Sequence, residues 1–408
     1  MNALHDRYDE AMQAGSYDEA ANAAAGYIAT LLSQPDYDRR DWADGLVRLG
    51  HAQRSGTDYD AAIQNYEQAI SILQTETDRL NISLVEPMLG ASEAMIEQDR
   101  FADASDVLES VLHLQQVNQG LHDLSQAEPL QRLSDVYLAL GNIDQALSRQ
   151  RAHTALYDRN YPGDDVRKLD AFLAEASLLD DLGMRVDSHT VYRRTINMVE
   201  RAEGHRAPEL VPALVMIADL LASNEIKDGY DGRKLWRRYL QKAEWIAETS
   251  ELLTPLQRAD AYIAAGDLLS QYTIDDDGAL RRYLQGWDIL SADPALAHEL
   301  DDRFSEPLLL KEMPRTTAPD MRNLFMRAST RETSSGSRIL VRFDVNEQGE
   351  AENIEVIEGD PTGYWSELVA DHVEKFAFRP KIVDGQAVRF EGMFWDITYL
   401  VDDEDLRG

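Results

Sequence analysis

Gly15-Ser16-Tyr17-Asp18-Glu19-Ala20 opens a register that the chain then keeps. It returns as Thr57-Asp58-Tyr59-Asp60-Ala61-Ala62, Asp99-Arg100-Phe101-Ala102-Asp103-Ala104, Gly141-Asn142-Ile143-Asp144-Gln145-Ala146 and Gly183-Met184-Arg185-Val186-Asp187-Ser188. The closing positions 20, 62, 104, 146 and 188 step by 42 each time. A constant period of that size is the mark of a solenoid, in which each unit buries its apolar face only by stacking on the next.

The same step governs other positions. Leu4, Leu46, Met88, Leu130 and Phe172 form an apolar column, and Pro87 and Pro129 each stand one residue ahead of it. Proline suits the first turn of a helix, where its missing N–H leaves no bond unmade. Each unit thus reads as helix, tight turn, helix. The small closing residue lets the two helices approach, and the aromatic three before it is expected to fill the groove between them. The pattern resembles the tetratricopeptide repeat, whose usual unit is about 34 residues; the surplus is about one turn per helix.

Composition narrows the function classes. The net charge of −34, with no basic stripe in the sequence to neutralise phosphates, argues against nucleic acid as a partner and equally against an anionic membrane surface. The acidity itself is read as solvated surface rather than as a seat for a basic partner. No cysteine is present, which removes disulfides, thiolate metal sites and cysteine nucleophiles. No run is long and apolar enough for a membrane span. The first repeat begins at Met1, so a periplasmic placement expects a leader ahead of it in the gene; cytoplasm is the alternative.

Beyond the fifth unit the pattern loosens. Arg237-Arg238-Tyr239-Leu240-Gln241 recurs as Arg281-Arg282-Tyr283-Leu284-Gln285, which suggests two divergent units, the first with an insertion over Ser223 to Gly232. Asp275-Asp276-Asp277 lacks the spacing of a calcium loop and is read as helix capping. Pro294, Pro307, Pro314 and Pro319 lead into Ser329-Thr330-Arg331-Glu332-Thr333-Ser334-Ser335-Gly336-Ser337, a polar connection. The expected architecture is therefore mainly α. A tetratricopeptide-type solenoid of about seven helix pairs fills 1–291, a connection 292–337, a small α+β domain 338–403 and an acidic tail 404–408.

The period changes to two at Ile339, Val341, Phe343 and Val345, the inward side of a strand. Asn346 to Glu350 is a hairpin turn, a second strand runs through Ile354, Val356 and Ile357, and Trp365, Val369, His372, Val373 and Phe376 stripe a helix. Met393, Trp395, Ile397, Tyr399 and Val401 make a last strand with Gly392 as a bulge, giving the order β-β-α-β. His372, Trp365 and Trp395 are read as core. Phe343-Asp344-Val345, Gly349, Phe376-Ala377-Phe378-Arg379-Pro380 and Asp384-Gly385 resemble the C-terminal domain of TonB energy transducers. That resemblance implies a family motif at Gly349, Phe378, Arg379, Pro380, Asp384 and Gly385, receptor or envelope-complex partners, and a periplasmic setting.

No nucleotide-binding, hydrolase or zinc motif is present, so neither enzymatic activity nor a cofactor is expected. Two binding surfaces are expected instead. One is the last strand, exposed as a sheet edge at Phe394, Asp396, Thr398 and Leu400, to receive a peptide or a second copy of the chain. The other is the face of the first helices, with Val47, His51, Glu93, Gln131, Asp135 and Ser177. The function expected is a protein-binding adaptor of the cell envelope; a general repeat scaffold or co-chaperone is the alternative.

Overall fold

The computed structural model describes residues 2–223, 232–273, 276–311, 337–359 and 364–399. The chain divides into two compact units, Met1–Leu182 and Gly183–Gly408.

The first unit alternates first and second helices: α1 (Asn2–Gln13), α2 (Tyr17–Leu32), α3 (Arg39–Ser55), α4 (Tyr59–Glu76), α5 (Val85–Ile96), α6 (Phe101–Gln119), α7 (Ala127–Ala139), α8 (Ile143–Asn160) and α9 (Leu169–Asp181). The signature is the turn inside each pair. Gly15, Thr57, Asp99 and Gly141 have φ of 70°, 66°, 58° and 73°. The N–H of the next residue reaches back to close the helix: Ser16 to Ala11 O at 2.9 Å, Asp58 to Gln53 O at 2.8 Å, Arg100 to Met95 O at 2.9 Å and Asn142 to Tyr137 O at 2.8 Å. This left-handed cap satisfies the otherwise orphaned carbonyls and reverses the chain.

The closing Ala20, Ala62, Ala104 and Ala146 are fully buried, as the close approach of the paired helices requires. The residue three before them does not fill the groove. Tyr59 and Phe101 are half-buried against the core, whereas Tyr17 and Ile143 are exposed, because the first turn of the second helix carries that side chain outward. A second recurring device sits between pairs. Asp38, Asn81, Asp123 and Asp165 each accept from the backbone N–H two residues on, at 2.8 to 3.0 Å, and cap the entry to the next first helix. Asn118 and Asn160, 42 apart, donate to Leu80 O at 2.7 Å and His122 O at 2.9 Å, tying each second helix to the preceding loop.

The second unit continues with α10 (Arg185–Glu203), α11 (Leu210–Ser223), α12 (Gly232–Thr249), α13 (Pro255–Tyr272), α14 (Asp276–Ser291) and α15 (Ala297–Phe304). The insertion expected before α12 lies outside the described residues. Thr254 and Gln257 form a capping box at α13. Successive pairs are joined by Lys242 with Glu200, Arg282 Nε with Glu244 at 2.6 Å, and Arg303 Nε with Asp260 at 3.0 Å.

After α15 come β1 (Leu308–Lys311), β2 (Ser337–Val345), β3 (Ala351–Glu358), α16 (Tyr364–Val373), β4 (Ala377–Arg379), β5 (Ile382–Val383), β6 (Gln386–Ala387) and β7 (Phe390–Tyr399). The β-β-α-β frame is β2, β3, α16 and β7, with the antiparallel order β3-β2-β7. Ile339, Val341, Phe343 and Val345 are all buried beneath Val369, Val373 and Phe376. His372 is buried against Phe376, and Trp395 meets the Phe376 ring edge-on at 4.9 Å, so both are core; the Trp365 side chain lies outside the described residues. Gly392 (φ 78°) sits where the β2–β7 register slips by one residue, the expected bulge. The 292–337 stretch, expected as a connection, supplies α15 and β1, and β1 pairs with β4 as Leu308 opposite Arg379. The 404–408 tail lies outside the described residues.

Candidate binding surfaces

The turn glycine of the C-terminal motif has a structural task. A Cβ on Gly349 would lie 2.1 Å from the Phe378 carbonyl oxygen, and the Phe378 N–H donates to Gly349 O at 2.9 Å. Only glycine fits there. Phe378 is buried beside Phe343, with ring centroids 5.6 Å apart. Arg379 points away from any exposed surface: its guanidinium holds Asp267 of α13 and reaches the Arg303 carbonyl at 3.4 Å. Pro380 is buried, Asp384 and Gly385 turn the β5–β6 hairpin with φ of 50° and 74°, and a Cβ on Gly385 would touch Trp287 of α14 at 3.3 Å. Ile382 belongs to the core of α13, α14 and α15. The motif residues thus seat the sheet on the last helices.

The edge is elsewhere. Among the described residues β7 pairs with β2 alone, which leaves its other side as a border of the sheet. Phe394 is 59% exposed and Asp396 is exposed, both on the side opposite Trp395. Thr398 stands opposite Arg338 in the ladder, and Leu400 lies outside the described residues.

In the first unit, the first helices α3, α5 and α7 line a cleft of about 560 Å³. His51 and Glu93 are in it. The Tyr66 hydroxyl bonds His51 Nδ1 at 2.9 Å, and His51 Nε2 lies 3.4 Å from Glu86 Oε1. With Tyr66 donating, the imidazole hydrogen is on Nε2 and directed at Glu86. That bond holds the Glu86 carboxyl below its ordinary pKa, while burial pushes the Tyr66 hydroxyl above its own. Glu93 is bridged by Arg54 at 2.9 Å and Arg132 at 2.5 Å, and Arg132 also reaches Glu128 at 3.0 Å. Gln131 donates to Asp135 at 3.2 Å, Asp135 is exposed, and Ser177 occupies the equivalent place on α9, half-buried.

Val47 does not belong to this surface. It is 5% exposed and part of the core, although the equivalent Leu89 is only partly buried and lines the cleft. The expected set also omitted Asp44, Glu86, Glu128 and Asp170, which step by 42 and are all exposed. The signal was present, since Glu86 and Glu128 stand directly before Pro87 and Pro129. Among the described residues no group of three His, Asp or Glu could hold a metal ion, and no helix is long and apolar enough to cross a membrane.

Residues 43–72, which span most of α3 and α4, match the tetratricopeptide repeat family. No curated protein matches the sequence. Solved structures of similar course include a putative kinesin light chain of Podosopora anserina with nearly identical repeats, 15% identical over 50% of this chain and 96% of its own, TM-score 0.45. A tetratricopeptide repeat protein of Parabacteroides merdae is 16% identical over 74% of this chain and 97% of its own, TM-score 0.42. Aspartyl phosphate phosphatase F of Bacillus subtilis is 12% identical over 74% and 85%, TM-score 0.45. The fold is mainly helical, a tetratricopeptide-like solenoid with a small strand-containing C-terminal region. Such repeats imply a protein-interaction scaffold. The family match lies in the second repeat and leaves the TonB likeness of the C-terminal region without support.

Proposed function

We propose that the chain is a non-enzymatic adaptor with two separate binding surfaces, the first-helix face of residues 1–182 and the β7 edge. The observation that carries the reading is the exposed polar row at 42-residue intervals on α3, α5, α7 and α9, while the apolar columns of the same helices point inward. A solenoid needs the apolar columns to fold; Glu86, Glu128 and Asp170 also serve the first turns of α5, α7 and α9, where a carboxylate favours the helix N-terminus, but the exposed Asp44 and Asp135 have no such place. The β7 edge supports the second surface, because an unpaired strand border offers backbone donors and acceptors to an extended peptide.

A TonB-like role at the cell envelope, with a periplasmic setting, is the finer form of this proposal. The β3-β2-β7 order and the absence of cysteine fit it. The inward placement of Arg379, Pro380 and Gly385 favours a general scaffold, in which the C-terminal region closes the end of the helix stack. Affinity capture from the native host with wild type, His51→Asp/Asp135→Arg and Phe394→Asp separates the surfaces. Each variant is expected to lose a different set of partners. Retention of the wild-type set by both variants would contradict the two-surface reading.

A further inference from the structure

We infer that the first-helix face of residues 1–182 seats an extended, basic segment of a partner protein, whose Lys or Arg side chains meet Asp44, Glu86, Glu128 and Asp170 in turn. The inference rests on the adaptor reading and names the partner's chemistry.

The four carboxylates occupy one equivalent position on α3, α5, α7 and α9 and are all exposed. Asp44, Glu86 and Glu128 line the same cleft. Most of the cations nearby are already engaged: Arg54 and Arg132 are spent on Glu93, Arg132 is shared with Glu128, and Arg48 lies 3.5 Å from Asp9. Glu86 faces His51 and feels the more distant Arg48, and Asp44 and Asp170 make no ion pair among the described residues. Desolvation against the helices, with the like charges of Asp41 and Glu86, pushes the Asp44 carboxyl above its ordinary pKa. The face therefore carries negative charge at Asp44 and Asp170 that no ion pair among the described residues offsets, and that an arriving cation would relieve.

A second observation is independent of that charge. Gln115 of α6 lines the cleft, is only 4% exposed, and its carboxamide oxygen is buried with no hydrogen-bond partner. A buried acceptor left unmade is costly, and one bordering a cleft calls for a donor from whatever enters. Lysine, arginine and a backbone N–H are donors; a carboxylate is not. Acidic peptides are disfavoured on both counts.

Geometry sets the spacing. α3 and α5 touch directly, and packed helices lie about 8–10 Å apart, which an extended chain rising about 3.3 Å per residue covers in about three residues. The segment that fits carries a cation at every third position, and it is distinguishable from a block of lysines of equal charge.

The test uses the full chain and two synthetic peptides of one composition, Lys-Ser-Ser repeated four times and four contiguous lysines within eight serines, with binding read by fluorescence anisotropy. The spaced peptide is expected to bind about tenfold more tightly, and the variant Asp44→Asn/Glu86→Gln/Glu128→Gln/Asp170→Asn is expected to lose that margin. A control removing as many exposed acids from second helices, Asp18→Asn/Glu67→Gln/Asp106→Asn/Asp144→Asn, keeps it. Gln115→Met weakens the spaced peptide without moving the melting temperature down. Equal binding of the two peptides to wild type overturns the inference, as does equal weakening by the column and control variants, which would mark general charge attraction. Partners held at this face that contain no basic segment would also overturn it while leaving the adaptor reading intact.

Discussion

Arg379 and Asp267, 112 residues apart in sequence, meet as a two-pronged ion pair, Nε to Oδ1 at 3.1 Å and Nη2 to Oδ2 at 2.7 Å. Their side chains are 10% and 19% exposed, so the pair is shielded from water. Removing one partner of such a pair strands a buried charge and costs about 3–5 kcal/mol, whereas a matched apolar replacement of both costs far less. Denaturant unfolding should show Arg379→Ala and Asp267→Ala each strongly destabilised, with Arg379→Met/Asp267→Leu milder than either. Single variants within about 1 kcal/mol of wild type would mean that the C-terminal region is not anchored there.

The left-handed caps give opposite effects at equivalent sites. A non-glycine residue at positive φ costs about 1–2 kcal/mol, and glycine gives back about 0.4–1 kcal/mol of that through the entropy of the unfolded chain. Thr57→Gly is therefore expected to raise the denaturant midpoint. Asp99→Gly should gain less, because aspartate tolerates that conformation better than a β-branched residue. Gly141→Ala should lower the midpoint. A loss of stability in Thr57→Gly would contradict the cap assignment.

Close helix approach leaves no room for bulk at the crossings. A Cβ on Gly90 would lie 2.5 Å from the Tyr66 ring, and one on Gly50 2.8 Å from it. Gly90→Ala, Ala62→Leu and Ala146→Leu should each lower the melting temperature by overpacking, at about 1–3 kcal/mol. Ala→Leu at an exposed helical site serves as the comparison, and equal melting of all four would show the packing to be looser than described.

His153 is 8% exposed, and burial alone pulls its pKa below the ordinary value. As pH falls, the unfolded state binds the proton first, so the stability this residue contributes is present above about pH 6.5 and is lost on acidification through its lower folded pKa. Between about pH 7.5 and about pH 5.5 the wild type should lose more melting temperature than His153→Gln. Parallel profiles would contradict the burial of a neutral imidazole.

The repeats were legible because their demands recur. A left-handed cap at Gly15, Thr57, Asp99 and Gly141 and a crossing at Ala20, Ala62, Ala104 and Ala146 admit few residue types, so the constraint prints itself at a fixed step. The Asp38, Asn81, Asp123 and Asp165 caps recur at nearly that step, one residue long between the first two, and could have been read. The ion pairs between repeats were not legible, because Arg54–Glu93 and Arg149–Glu109 use positions that need no fixed residue type. The β1 strand, Leu308–Lys311, was hidden by its proline-rich surroundings and by lacking alternation; its pairing with β4 is a long-range contact. Arg379 belonged to a resemblance, yet its partner Asp267 lies on a helix that no local pattern connects to it. Val47 failed for a simpler reason, since one apolar residue counted onto a polar face is the residue that turns inward.

The adaptor reading is tested most directly by placing a photoreactive amino acid, one site at a time, at Asp135, Phe394 and Glu67 of the full chain in its native host. Asp135 lies on the first-helix face, Phe394 on β7, and Glu67 is exposed on the second helix α4. Protein adducts are expected at Asp135 and at Phe394, of different mass from each other, and none at Glu67. The same adducts at all three positions, or none at Asp135 and Phe394, would contradict it.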